Sequence, residues 1–153
     1  MKSTPQVLAA LNGLLADELA AISQYTVHAS MAERWGYDKL SEYIEQRARG
    51  EMKHADILIG RILFLEGTPI VKLGQVSIGA TAEEALGRDL AAEGRAVAGY
   101  NRAIKLCEEH DDGATREILE HILAEEDQHV FDIEALLLQI KQMGVSNWLS
   151  TQS

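Results

Sequence analysis

A single cysteine, Cys107, excludes an intrachain disulfide framework and any Cys-rich zinc or rubredoxin-type module. Buried and inert is the expected state of that thiol. Proline is nearly absent too: only Pro5 and Pro69 occur, so almost nothing interrupts a helix from within. Positive charge is sparse, with 14 Lys and Arg against 24 Asp and Glu, giving a net charge of -10. That balance disfavours a nucleic-acid partner or an anionic membrane surface and favours cations. No apolar run approaches the roughly 20 residues of a membrane span. Residues Met1 to Gln6 lack the apolar core of a secretory signal, so a cytoplasmic location is expected.

What is present is helix. Apolar residues recur at steps of three and four over long stretches, which predicts an all-α fold in one domain spanning residues 1–153. Thr4 and Pro5 mark the start of a helix over about 5–34, with Val7, Leu11, Leu14, Glu18, Ile22 and Tyr25 on its inward stripe. A second helix is expected over about 38–65, a third over about 82–110 after the cap sequence Thr81-Ala82-Glu83-Glu84, and a fourth over about 114–143, ended by Gly144. Its inward series reads Leu119, Ile122, Glu126, His129, Ile133, Leu136, Ile140 and Met143. A short last helix over about 146–152 carries Trp148 and Leu149 and is expected to pack on the bundle end or another subunit. Residues 67–80 form a long connection between the second and third helices. Extended, it spans about 46 Å at roughly 3.3 Å per residue, enough to run the length of a helix of about 42 Å. The architecture is thus a four-helix bundle with one lengthwise crossover.

Inside those stripes lie charged residues in a repeated layout. Glu18 and Glu93 each stand 33 residues before a Glu-x-x-His element, Glu51/His54 and Glu126/His129, and the two copies are offset by 75 residues. Residues i and i+3 share a helix face, so each Glu-x-x-His can address one centre. A lone Glu-x-x-His arises often by chance in an acidic helical chain. Two, with matching glutamates on the other two helices, are the donor set of a di-metal carboxylate site in a bundle core. Four carboxylates carry about -4, which two divalent cations cancel. The donors suit iron or manganese and also accept zinc. Tyr25 and Tyr100 each follow their helix's glutamate by seven residues, on the same stripe. His28, His110 and His121 fall outside the layout and are expected to be structural or solvated.

The segments Leu14-Leu15-Ala16-Asp17-Glu18-Leu19, Glu51-Met52-Lys53-His54-Ala55-Asp56, Arg61 to Gly67, and Glu125-Glu126-Asp127-Gln128-His129 resemble bacterioferritins, a ferritin-like di-iron family, along nearly the whole chain. The resemblance implies an iron-storage subunit that oxidises ferrous iron with dioxygen or hydrogen peroxide and deposits ferric mineral in a homo-oligomeric cage of about 24 subunits built from dimers. It makes Glu18 and Glu93 terminal ligands, Glu51 and Glu126 bridging ligands, and His54 and His129 imidazole ligands of two Fe ions per subunit. It gives Tyr25 a redox or hydrogen-bonding role beside them, with Trp35 as a lesser candidate. It also makes Met52 the axial ligand of a haem b shared between two subunits, and implies a ferredoxin as the partner for iron release. Gln46 and Gly50 depart from family members that carry a histidine and an aspartate there, which leaves the route from centre to cavity open. The alternative is a haem-binding shell or electron-transfer subunit with a slow or structural di-metal site.

Overall fold

The computed structural model describes residues 2–153 as five helices with no strand among the described residues: α1 Pro5–Arg34, α2 Asp38–Phe64, α3 Ala82–Glu109, α4 Gly113–Met143 and α5 Val145–Leu149. Local chemistry sets the starts. Thr4 Oγ1 accepts from Val7 N at 3.3 Å with Pro5 following, and Asp112 Oδ1 accepts from Thr115 N at 3.1 Å. At α3, Thr81 Oγ1 accepts from Glu84 N at 3.1 Å, while the Glu84 carboxylate reaches back to Ala80 N at 2.8 Å, one residue beyond the reciprocal bond of a capping box.

The four long helices pack as two antiparallel pairs, α1 with α2 and α3 with α4, and the stretch between α2 and α3 runs lengthwise along α1. Four α1 residues at steps of four or eight bind that strap. Asn12 Oδ1 accepts from Ile70 N, Ala16 O from Gly74 N, Gln24 Oε1 from Ser77 N and His28 Nε2 from Gly79 N, all at 2.8–3.0 Å. One turn apart or two, these positions share a helix face. Of the two expectations for His28, structural or solvated, the structure shows the first: its Nδ1 lies 2.7 Å from Asp89 Oδ1 on α3, which also accepts from Gln24 Nε2 at 2.8 Å. Strap, α1 and α3 are thereby joined by a buried network with every bond directional.

Gly79 passes so close to the first turn of α3 that a Cβ would overlap Ala85 N and lie 2.7 Å from Glu84 C. These are backbone atoms, which cannot step aside. Gly79→Ala is therefore expected to destabilise the fold by about 2 kcal/mol or more, lowering the melting temperature by roughly 5 °C. An unchanged thermal melt would refute that close seating of the strap.

The apolar interior is in two parts. One cluster gathers Leu11, Leu15, Leu58, Ile62, Leu119 and Ile122 with the buried Cys107; the other gathers Leu40, Ile44, Leu86, Ile133, Ile140 and Trp148. α5 serves the second cluster, with Trp148 fully buried and its Nε1 donating to Gln139 Oε1 at 3.1 Å, so this segment closes the bundle end of its own subunit. Ser150 and Thr151 continue it only as a turn. Met143, read from sequence as inward, is exposed as the last residue of α4. No helix among the described residues is long and apolar enough to cross a membrane.

Candidate metal centre

Between the two apolar clusters, at mid-height, lies a layer of charge. Glu18 comes from α1, Glu51 and His54 from α2, Glu93 from α3, and Glu126 and His129 from α4, all buried. Their donor atoms form two groups, each within 4.8 Å: Glu18, Glu51, His54 and Glu126, and Glu51, Glu93, Glu126 and His129. The six residues singled out by spacing therefore meet at one level, with Glu51 and Glu126 common to the two groups.

Both imidazoles turn Nδ1 inward. His54 Nδ1 is 2.7 Å from Glu126 Oε1, 3.2 Å from Glu51 Oε2 and 3.7 Å from Glu18 Oε1. His129 Nδ1 is 3.3 Å from Glu51 Oε1, 3.6 Å from Glu126 Oε2 and 3.7 Å from Glu93 Oε1. The rings stack with centroids 6.2 Å apart. No lysine or arginine among the described residues pairs with the four carboxylates.

Such a layer is unsatisfied as it stands. Glu18 Oε2, Glu51 Oε1, Glu93 Oε2, Glu126 Oε2 and His129 Nδ1 are buried without a hydrogen-bond partner. Buried polar atoms rarely go unpaired. Five within one donor set, aimed at common points, fit cations better than packing. The charge distribution agrees. Burial, followed by Glu18 and the other carboxylates, pushes Glu51 well above the usual carboxylate range. Burial and the contact with Glu126 raise Glu93 to about 8. Burial would raise Glu126 as well, but its close contacts with Glu93, His129, His54 and Glu51 hold it below that range. For the imidazoles burial acts downward and loses: contacts with Glu126, Glu18 and Glu125 hold His54 at about 11, and contacts with Glu126 and Glu93 hold His129 at about 9. Protons thus occupy positions that cations would take.

Two phenols support Glu93 and Glu18 crosswise. Tyr25 on α1 donates to Glu93 Oε1 on α3 at 2.6 Å, and Tyr100 on α3 donates to Glu18 Oε1 on α1 at 2.7 Å. Burial and the nearby carboxylates push both phenols well up, so both remain donors. Tyr100 carries as direct a contact as Tyr25, and its only sequence signal was its matching offset. Trp35, at the end of α1, is more than a third exposed and reaches none of these groups. Met52 points away from the centre and is 53% exposed, at the edge of an open groove of about 380 Å³ lined by Ile22, Ala29 and Ala48 from α1 and α2.

Comparison with known proteins gives the same reading of the fold. A Ferritin-like domain profile matches residues 8–143. The chain is 41% identical over 153 residues to the bacterial ferritin of Pseudomonas aeruginosa and 40% identical over 154 residues to that of a Synechocystis species, covering 99% of each chain. It is 37% identical over 146 residues to the bacterioferritin of Mycolicibacterium paratuberculosis, covering 95% of this chain and 92% of the relative. With the helix order, the strap and this extent of likeness together, the chain belongs to the ferritin-like family, among the bacterial ferritins and bacterioferritins.

Proposed function

We propose that this chain is an iron-storage subunit that oxidises ferrous iron at the mid-bundle centre. The observation that carries this is the sharing of Glu51 and Glu126 between two four-donor groups, which offers two adjacent cation positions inside one subunit. Ferrous ions are the substrate: two bind, each gives up one electron, and dioxygen or hydrogen peroxide takes both. Glu51 and Glu126 hold the ions at a common distance, and Glu18, Glu93, His54 and His129 close their outer sides. Tyr25 and Tyr100 fix the terminal carboxylates, which keeps the donors in place as charge on the ions rises. The test is an anaerobic ferrous titration of the intact protein followed by exposure to oxidant. Two equivalents per subunit, oxidised together, are expected; uptake of one or none would overturn the reading.

Storage needs an enclosure, and the surface favours one. Leu63, Phe64, Ile70, Val71, Leu73 and Ile78, on the end of α2 and the strap, are all at least 41% exposed. Apolar surface at that density marks a contact with another chain. It supports assembly of copies into dimers and then a closed cage of about 24; a ferredoxin as the electron source for release rests on the likeness to bacterioferritins alone.

A second ligand follows from Met52. Its exposed thioether beside a groove that has an apolar floor at Ile22, Ala29 and Ala48 and polar walls at Glu33, Glu45 and Arg49 suits a haem held between two copies, each supplying one methionine. When bound, such a group would supply electron transfer. Met52→Leu is expected to abolish haem absorbance while leaving ferrous oxidation within about twofold, since Met52 touches no residue of the centre. Haem retained in the variant would refute the assignment.

A further inference from the structure

The 75-residue offset that relates the two halves of the centre extends outward, and there it breaks. On its outer side His54 Nε2 lies 2.6 Å from Glu125 Oε2, a half-exposed carboxylate on α4. The position related to Glu125 by the same offset is Gly50 on α2. Gly50 does face His129: a Cβ built on it would lie 3.9 Å from His129 Cε1, the ring carbon between the two nitrogens, with nothing else within 4 Å. Among the described residues no group bonds His129 Nε2. The His129 side chain is also the more exposed imidazole, at 9% against 1% for His54.

An acceptor on the outer nitrogen does two things for a ligating imidazole. It fixes the proton on Nε2, which leaves the Nδ1 lone pair facing the ion, and it holds the ring plane. Glu125 does both for His54, and its other oxygen sits 3.7 Å from the exposed His121, which limits its own freedom. His129 receives neither service.

We propose that Glu125 is a positioning residue acting through His54, so that the two metal positions are unequal: the one closed by His54 binds first and tightly, and the one closed by His129, left bare by Gly50, binds second and exchanges. This rests on the centre being a metal site. It supplies an order of loading and a face for exchange within that site.

The test is anaerobic titration of the intact protein with cobalt(II), read by its visible absorption. Anomalous occupancies from crystals loaded with one equivalent per subunit show which position fills. The first equivalent is expected beside His54. Glu125→Ala should weaken that step about tenfold and spare the second, and Glu125→Gln, which keeps an acceptor, should weaken it less. Gly50→Glu should tighten the second step about tenfold; Gly50→Ala, which brings the same gain in helix propensity without a carboxylate, should not. Equal filling of the two positions, or a first step unmoved by Glu125→Ala, would overturn the proposal while leaving the centre standing. No cobalt uptake at all would remove the centre itself, and this inference with it.

Discussion

Glu51→Ala is expected to eliminate paired uptake of ferrous iron and to slow its oxidation by about a hundredfold or more, whereas Glu18→Ala should leave one ion bound. The difference comes from membership. Glu18 belongs to one donor group and Glu51 to both, so losing Glu51 opens both positions at once. The variant should still fold. Burial first, and the neighbouring carboxylates second, raise the proton affinity of Glu51, so removing it takes away a costly buried carboxyl and leaves a cavity smaller than the side chain. Anaerobic titration and stopped-flow oxidation measure the contrast. Two ions bound by Glu51→Ala with unchanged affinity would rule out the shared-carboxylate arrangement.

Loading at neutral pH is expected to expel at least about three protons per pair of ions, from His54, His129 and Glu93, with Glu51 adding to that release. All four are held above their ordinary values in the protein without metal, at about 11, about 9 and about 8 for the first three and well up for Glu51. A group raised in the folded state favours folding below its unfolded value and loses that contribution as pH rises to its folded one. For Glu93 the loss runs from 4.5 to about 8, and for His129 and His54 from 6.5 to about 9 and about 11. Glu126 has the opposite sign: its contribution is present above 4.5 and disappears only in acid. The metal-free bundle should therefore weaken from about pH 5 upward while affinity for cations grows, so metal should raise the melting temperature by several degrees more at about pH 9 than at about pH 6. Proton release in a weakly buffered titration counts the protons directly. Fewer than about one per ion would contradict this account of the layer.

Much of this was legible because it is local. Three- and four-residue spacing, the caps at Thr4 and Thr81, and the length of the crossover are properties of short stretches, and they are enough for the all-α bundle. The convergence of the six donors also follows from register, since each lies near the middle of its helix on the apolar stripe. What could not be read depends on which helix faces which. Tyr25 and Tyr100 follow their glutamates by seven residues and looked like companions of them. α1 and α3 run antiparallel, so seven residues onward on one is seven residues back on the other, and each phenol meets the opposite carboxylate. The contact between Glu125 and His54 crosses from α4 to α2 in the same way. His28 gave no signal for its role because Asp89 and Gly79, its partners, are more than fifty residues distant.

The two apolar clusters never merge, because the acidic layer lies between them. Hydrocarbon packing fixes shape to within a methylene and tolerates little rearrangement. Carboxylates and imidazoles turn on their own torsions and can release and regrip. The subunit's poles are therefore set by hydrocarbon packing and its equator by polar side chains, so a change in what those side chains contact need not reach the walls.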